Sequence, residues 1–224
     1  MRTKRLTVTI ILIISTMVPC QSDGQNVEWS GRPPSRDDVA RFFQGKISAD
    51  DALARYNIPF LQLMGEKPLV ETTGPQAAQV YRLFVQTRPH GIPVVVRLTV
   101  RPDGTGEVVS KMAQSPRFAG VLAVNRIAKL SREDVDEFLK HLGDSGFWSM
   151  AVHEPIDVHH VLMGEPGWML EGEKGGSYHV VCRSTSNLAS LKKAVMFLVD
   201  VSKLDLGSTT IPPDDGRKSR DEIQ

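Results

Sequence analysis

The sequence predicts an α+β fold in which helices pack on one face of an antiparallel sheet. Apolar residues alternate with polar ones through several segments between residues 79 and 128, and a second pair of strands flanks the glycines at 175–176. Segments with the apolar spacing of a helix come before, between and after these two groups of strands. Grouped strands favour antiparallel pairing, because a parallel sheet needs regular alternation of strand and helix. We expect two layers, a sheet and its helices.

The first 24 residues are typical of a secretory signal peptide. Residues 1–5 carry three basic side chains, and residues 6–18 form an apolar run of 13 residues without a charge. A membrane-spanning helix needs about 20 apolar residues, so we expect a signal that is removed near residues 22–25 rather than a retained anchor. A polar linker at 25–34 follows. The protein is therefore expected to be exported, either periplasmic or secreted.

Cys20 stands where a lipoprotein signal carries the cysteine that becomes acylated. Pro19 precedes it, however, where such a signal has a small residue. Lipidation of Cys20 is therefore the alternative to free export. The protein is expected to contact a membrane only through that lipid or through a retained signal.

Charge and cysteine content narrow the choice of partners. Residues 1–24 contain three of the 27 basic residues and one of the 26 acidic residues, which leaves 24 against 25 in the mature chain. A near-neutral chain has no net field that attracts nucleic acid, so we expect no nucleic-acid partner. Cys182 is then the single cysteine unless Cys20 is retained, so no internal disulfide is expected.

The expected domain covers residues 35–206 and begins with a short helical hairpin at 35–57. Ser35 and Asp38 match a capping box, Gly45 offers a stop, and residues 48–56 repeat this scheme. The small apolar faces of the two helices indicate that they pack on a larger structure. The last 18 residues, 207–224, contain almost no apolar side chains and predict a disordered tail.

A meander, a helix, a hairpin and a final helix are expected in that order. Gln79, Val94, Thr105 and Gly120 begin the four strands of the meander. Ser131 caps a helix that Gly143 ends. The hairpin strands cover residues 168–173 and 177–183, and the last helix covers residues 188–202 with one apolar face.

The densest polar cluster in the sequence contains His153, His159 and His160 with nearby carboxylates. Imidazole and carboxylate groups are zinc ligands, so a metal-assisted hydrolase is one hypothesis. Adjacent histidines in a strand point to opposite faces, however, and no i, i+4 pair joins two of them. We therefore expect a solvated loop and no cofactor, with zinc as the alternative.

The second hairpin supplies a candidate ligand set of five residues: Trp168, Glu171, Tyr178, His179 and Arg183. A turn centred on residues 174–175 would place Glu171 opposite Tyr178. Strand alternation places Trp168, His179 and Arg183 on one face. An indole, an imidazole and a guanidinium together suit an anionic or sugar-like ligand, whereas the alternative is that these side chains pack in a core.

The motif W-M-L-E-G, a glycine turn and then Y-H-V-V, with Gly146-Phe147-Trp148 before it, resembles a group of small bacterial exported proteins. The resemblance covers roughly residues 80–200. It implies export but no particular chemistry, because no activity is assigned to that group. The chain departs from the group at Cys182, where such sequences are usually acidic, and at residues 184–187.

These observations favour a non-enzymatic envelope protein that binds a partner or a small ligand through the hairpin and the adjoining loop. The sequence has no G-x-S-x-G elbow, no phosphate-binding loop, no H-E-x-x-H motif and no pair of C-x-x-C motifs. One alternative is a structural accessory protein of the envelope that docks through its N-terminal helices. The other is the metal-assisted hydrolase.

The mature N-terminus tests the export prediction directly. We expect intact-protein mass spectrometry of material from the producing cell to give a chain that begins between residues 22 and 25. A chain that begins at Cys20 and carries added lipid mass would instead establish the anchor. A chain that still contains residues 1–19 would contradict the removal of the signal.

Overall fold

The computed structural model describes residues 33–48, 51–72, 77–87, 91–153 and 167–206, without the side chains of residues 52–54 and 186. The signal segment, Cys20, most of the linker and the tail lie outside these residues. The predictions made for them stay predictions.

Within the described residues, six strands form one antiparallel sheet in the order β4-β3-β2-β1-β5-β6. The strands are β1 (Gln79–Gln86), β2 (Pro93–Val100), β3 (Gly106–Ala113), β4 (Leu122–Leu130), β5 (Gly167–Lys174) and β6 (Ser177–Ser184). The longer helices are α1 (Arg36–Phe42), α2 (Ala52–Leu63), α3 (Arg132–Asp144) and α4 (Lys192–Ser202). The α+β class, the meander and the C-terminal hairpin are confirmed.

The hairpin joins the meander through β1 and β5. Leu83 of β1 lies opposite Leu170 of β5, and β1 pairs in this register from Gln79 to Val85. β1 is therefore a central strand with β2 on its other side. Its residues 80–85 are buried on both faces of the sheet, which requires that each face be covered.

Helices α3 and α4 cover one face of the sheet, as the sequence predicts. Phe138 of α3 and Leu198 of α4 are fully buried against Tyr81, Leu98 and Leu170 of the strands. Ser131 and Asp134 form the predicted capping box at the start of α3. The helix continues one residue past Gly143, and Gly146 provides the left-handed turn that follows it.

Helices α1 and α2 cover the opposite face, so the sheet has helices on both sides. Val39 and Phe42 of α1 and Ile58 and Leu61 of α2 are buried against the strands, among them Phe84. The two expected layers are present, and the N-terminal hairpin adds a third. Ser35 caps α1 with Asp38 as the sequence predicts.

Helix α2 differs from its prediction at both ends. It begins at Ala52 rather than after Ser48, and it continues past Tyr56 and through Pro59 to Leu63. Proline has no N–H to donate to the carbonyl four residues earlier, so a proline usually ends a helix. Burial of Ile58 and Leu61 on the sheet stabilises the turns on both sides of Pro59. No helix among the described residues has the length and apolar composition needed to cross a membrane.

The register of the C-terminal hairpin also differs from its prediction. Gly175 and Gly176 form the two-residue turn, with φ angles of 58° and 80°, and Lys174 pairs with Ser177. The two positive φ angles suit the tight turn that joins two twisted strands. Glu173, rather than Glu171, therefore lies opposite Tyr178. The predicted partners are wrong by two residues, which leaves the predicted faces unchanged.

Candidate functional site

The structure divides the five candidate ligand residues of the hairpin between two faces of the sheet. Trp168, His179 and Arg183 share the face that α3 and α4 cover, as the sequence predicts, with Trp168 directly opposite Arg183. Glu171 and Tyr178 lie on the other face, beneath α1 and α2. The five residues therefore do not form one site. Ligand binding by either group stays a prediction.

The first group contacts the protein itself. The Trp168 indole donates a hydrogen bond to the Thr185 hydroxyl at 2.9 Å. The Arg183 guanidinium donates to the backbone carbonyls of Val152 and Ala151 at 3.1 and 3.0 Å. Arg183 thereby holds residues 151–152 against the edge of β6. Both side chains are buried and stabilise this edge of the sheet.

His179 is the most accessible member of the first group. Its ring packs edge-on against Phe147 at 5.1 Å between centroids, and the Trp148 ring lies 6.4 Å away. Burial lowers the pKa of His179, and the nearby Lys46 and Arg183 charges lower it further, against a hydrogen bond with the Met150 backbone. An imidazole in this setting is neutral near pH 7 and packs as an aromatic ring.

Glu171 and Tyr178 belong to a buried group of charges that the sequence did not reveal. The Arg82 guanidinium, with no solvent exposure, donates to both carboxylate oxygens of Glu171 at 2.7 and 2.8 Å. It also donates to the Lys67 carbonyl at 2.6 Å, and the Phe42 ring lies 5.1 Å from its central carbon. The Tyr178 hydroxyl donates to Glu171 at 2.8 Å.

A second carboxylate extends this group toward the end of α2. Glu66 accepts a hydrogen bond from the Lys111 ammonium at 2.6 Å, and its other oxygen lies 3.5 Å from both Arg82 and Arg97. Lys111 also donates to the Met64 carbonyl at 2.8 Å. We call the five acidic and basic residues of this group the charge cluster: Glu66, Arg82, Arg97, Lys111 and Glu171.

The charge cluster is a structural feature that neutralises itself in large part. Burial by itself lowers the pKa of Arg82, but Glu171 and Glu66 raise it above the usual value. Burial raises the pKa of Tyr178 well above its usual value, and Glu171 adds to the effect. The phenol is therefore a neutral donor. Three cations lie within ion-pair distance of two carboxylates, so the charges of the cluster are paired within the protein and not left open for a ligand.

A hollow of about 420 Å³ opens beside the charge cluster. Three of its four charged lining residues already have side-chain partners: Asp38 caps α1 with Ser35, Arg41 donates to Glu71 at 2.8 Å, and Glu66 accepts from Lys111 at 2.6 Å. A ligand in this hollow would have to compete with those contacts. The hollow is therefore a poor candidate for a binding site.

The predicted metal site lies mostly outside the described residues, since these exclude His159 and His160. His153 is described, and its imidazole lies 2.8 Å from the Asp51 carboxylate. His153 also forms a parallel bridge with Cys182 at the edge of β6. No group of three potential metal ligands occurs among the residues that the structure covers. The zinc hypothesis stays a prediction.

An apolar groove lies on the solvent side of α2. Its volume is about 670 Å³, and apolar side chains contribute most of its surface: Tyr56, Pro59, Phe60 and Leu63 of α2, with Pro33 and Pro116 from other segments. Arg55 and Arg117 also line it. Tyr56 is 55% exposed. We call this feature the outer groove, and its size is typical of pockets for small ligands.

The sequence contained only indirect signs of the outer groove. Its residues come from three segments that are far apart in the chain, so no local motif marks them. The predicted helix ended at Tyr56, and this error left Pro59, Phe60 and Leu63 outside any predicted element. An apolar run after a polar helix could have indicated that the helix continues. It could not have indicated which side of the helix stays open.

Comparison with known proteins does not connect this geometry to an activity. The chain matches no protein-family model, and it matches no curated protein at the level of similarity that would show a relationship.

The pH dependence of stability tests whether Cys182, in the edge strand β6, is buried. Its thiol is 6% exposed, and burial raises its pKa to about 12, with Asp51 and Glu171 adding to the effect. The folded protein holds this thiol neutral, whereas the unfolded chain ionises it near its usual pKa of 9.0. The stability that results is fully present below about pH 9 and is lost as the pH rises toward 12.

We expect the free energy of unfolding to fall by about 1 kcal/mol more between pH 9 and pH 10 in the native sequence than in a Cys182→Ala variant. Guanidinium titrations at the two pH values measure this difference. Because each protein is compared with itself at two pH values, destabilisation of the variant does not affect the result. Equal changes in the two proteins would show that Cys182 is not buried as described.

Proposed function

We propose that this protein is an exported, non-enzymatic binding protein of the cell envelope, and that the outer groove holds an apolar ligand or an apolar segment of a partner. The export part rests on the signal-like N-terminus and on the resemblance of the hairpin to small exported proteins. The binding part rests on one observation: an open apolar groove of about 670 Å³ on the solvent side of α2.

Burial argues for the outer groove rather than for the hairpin as the binding surface. Among the candidate hairpin residues, Trp168, Glu171, Tyr178 and Arg183 are buried and bonded to other parts of the chain. The groove instead exposes Tyr56 beside Phe60, Leu63 and four prolines. When a ligand covers apolar side chains that are exposed to water, the free energy of the complex falls.

The position of the groove also suits an interaction protein. Ile58 and Leu61 of α2, with Met64 directly after the helix, fix the inner side of α2 on the sheet, so the outer side is presented on a rigid element. A rigid apolar surface loses little conformational entropy when it binds. The same surface could receive a partner, as the hypothesis of docking through the N-terminal helices requires.

Binding of N-phenyl-1-naphthylamine, a neutral apolar dye that fluoresces out of water, tests the proposal. We expect the native protein to bind the dye and the Tyr56→Ser variant to bind it about tenfold more weakly, because the variant loses most of one aromatic contact surface. Fluorescence titration measures the dye affinity of the native protein and of the variant, each purified in the form that the producing cell makes.

Ile127→Ser is the matched control. Ile127 is 65% exposed on β4 and does not line the outer groove, so its loss should leave dye binding unchanged. The proposal fails if the native protein does not bind the dye. It also fails if the two variants weaken binding equally, because the dye would then bind exposed apolar residues without preference.

A further inference from the structure

We infer that the ligand of the outer groove is an anionic amphiphile of the fatty-acid class, whose hydrocarbon chain lies on α2 and whose carboxylate pairs with Arg55 and Arg117. This inference rests on the proposed function, which requires only that the groove bind an apolar group. It adds the sign of the charge on the ligand and the residues that recognise it.

The charge of the lining is the first argument. Arg55 and Arg117 are the charged residues of the groove, and no acidic residue lines it. Within the part of the chain that the structure describes, neither guanidinium has a carboxylate within ion-pair distance. The mature chain is near neutral overall, so this positive site is a local feature of the groove. A carboxylate would supply the missing partner.

Arg55 and Arg117 differ in their partners from other arginines of the protein. Other arginines of the described chain bond to acceptors: Arg41 to Glu71, Arg82 to Glu171 and Arg101 to Glu107. The two arginines of the groove are exceptions, and both lie beside apolar side chains. An arginine beside an apolar surface can use its stem to cover a hydrocarbon chain while its guanidinium binds the headgroup.

The shape of the groove favours a single chain with one headgroup. Tyr56, Pro59, Phe60 and Leu63 follow the helix, and Pro33 and Pro116 line the groove from other segments. A volume of about 670 Å³ is in the range of pockets that hold one small ligand. A fatty-acid-like molecule matches the lining because it has an apolar body and one anionic end.

Displacement of N-phenyl-1-naphthylamine by three twelve-carbon probes tests the inference. The probes are dodecanoate, dodecan-1-ol and dodecyltrimethylammonium, each used below the concentration at which it aggregates. We expect dodecanoate to displace the dye at a concentration at least tenfold lower than either other probe. In an Arg55→Gln/Arg117→Gln double variant, we expect dodecanoate and dodecan-1-ol to displace it at equal concentrations.

Arg126→Gln/Arg132→Gln is the matched control, because it removes the same charge from exposed positions that do not line the groove. This double variant should keep the preference for dodecanoate. The inference is overturned if the native protein does not distinguish the three probes, or if the control loses the preference to the same extent. The proposed function survives both of these results, whereas failure of the dye to bind at all overturns the proposed function as well.

Discussion

Neutralisation of the buried Arg82 side chain is the constraint on which the arrangement of the layers depends. A guanidinium without solvent exposure must be paired, because an unpaired buried charge is strongly destabilising. Its partners come from separate parts of the chain: Glu171 from β5, Glu66 and the Lys67 carbonyl from the segment after α2, and the Phe42 ring from α1. The charge cluster thereby fixes the N-terminal helices on the sheet and holds α2 so that its outer side forms the groove.

The sequence predicted those parts of the fold that local chemistry determines. The capping boxes at Ser35 and Ser131 involve residues a few positions apart, and both appear in the structure. The predicted alternation in β2 appears only from Val96 to Val100, because the opposite face is also covered at Val95. The pairing of β1 with β5 was not predictable in this way, because 89 residues separate Arg82 from Glu171. The prediction for α2 failed because tertiary burial outweighed the local effect of Pro59.

The candidate site was harder to predict than the fold. Glu171 and Tyr178 entered the candidate ligand set through their predicted positions in the hairpin, yet their partner Arg82 is remote in sequence and buried with them. The outer groove is lined mostly by apolar residues from three segments, and such residues indicate a core when the sequence alone is considered. Binding surfaces made of ordinary apolar residues need the fold before they can be recognised.

Native-state hydrogen exchange of a Glu66→Gln variant tests most directly whether the charge cluster holds α2 on the sheet. The substitution keeps the shape of the side chain and removes the charge that faces Lys111, Arg82 and Arg97. We expect the amides of α2 to lose protection while those of α3, on the opposite face, keep theirs. Unchanged protection in α2, or an equal loss in α2 and α3, would contradict this account.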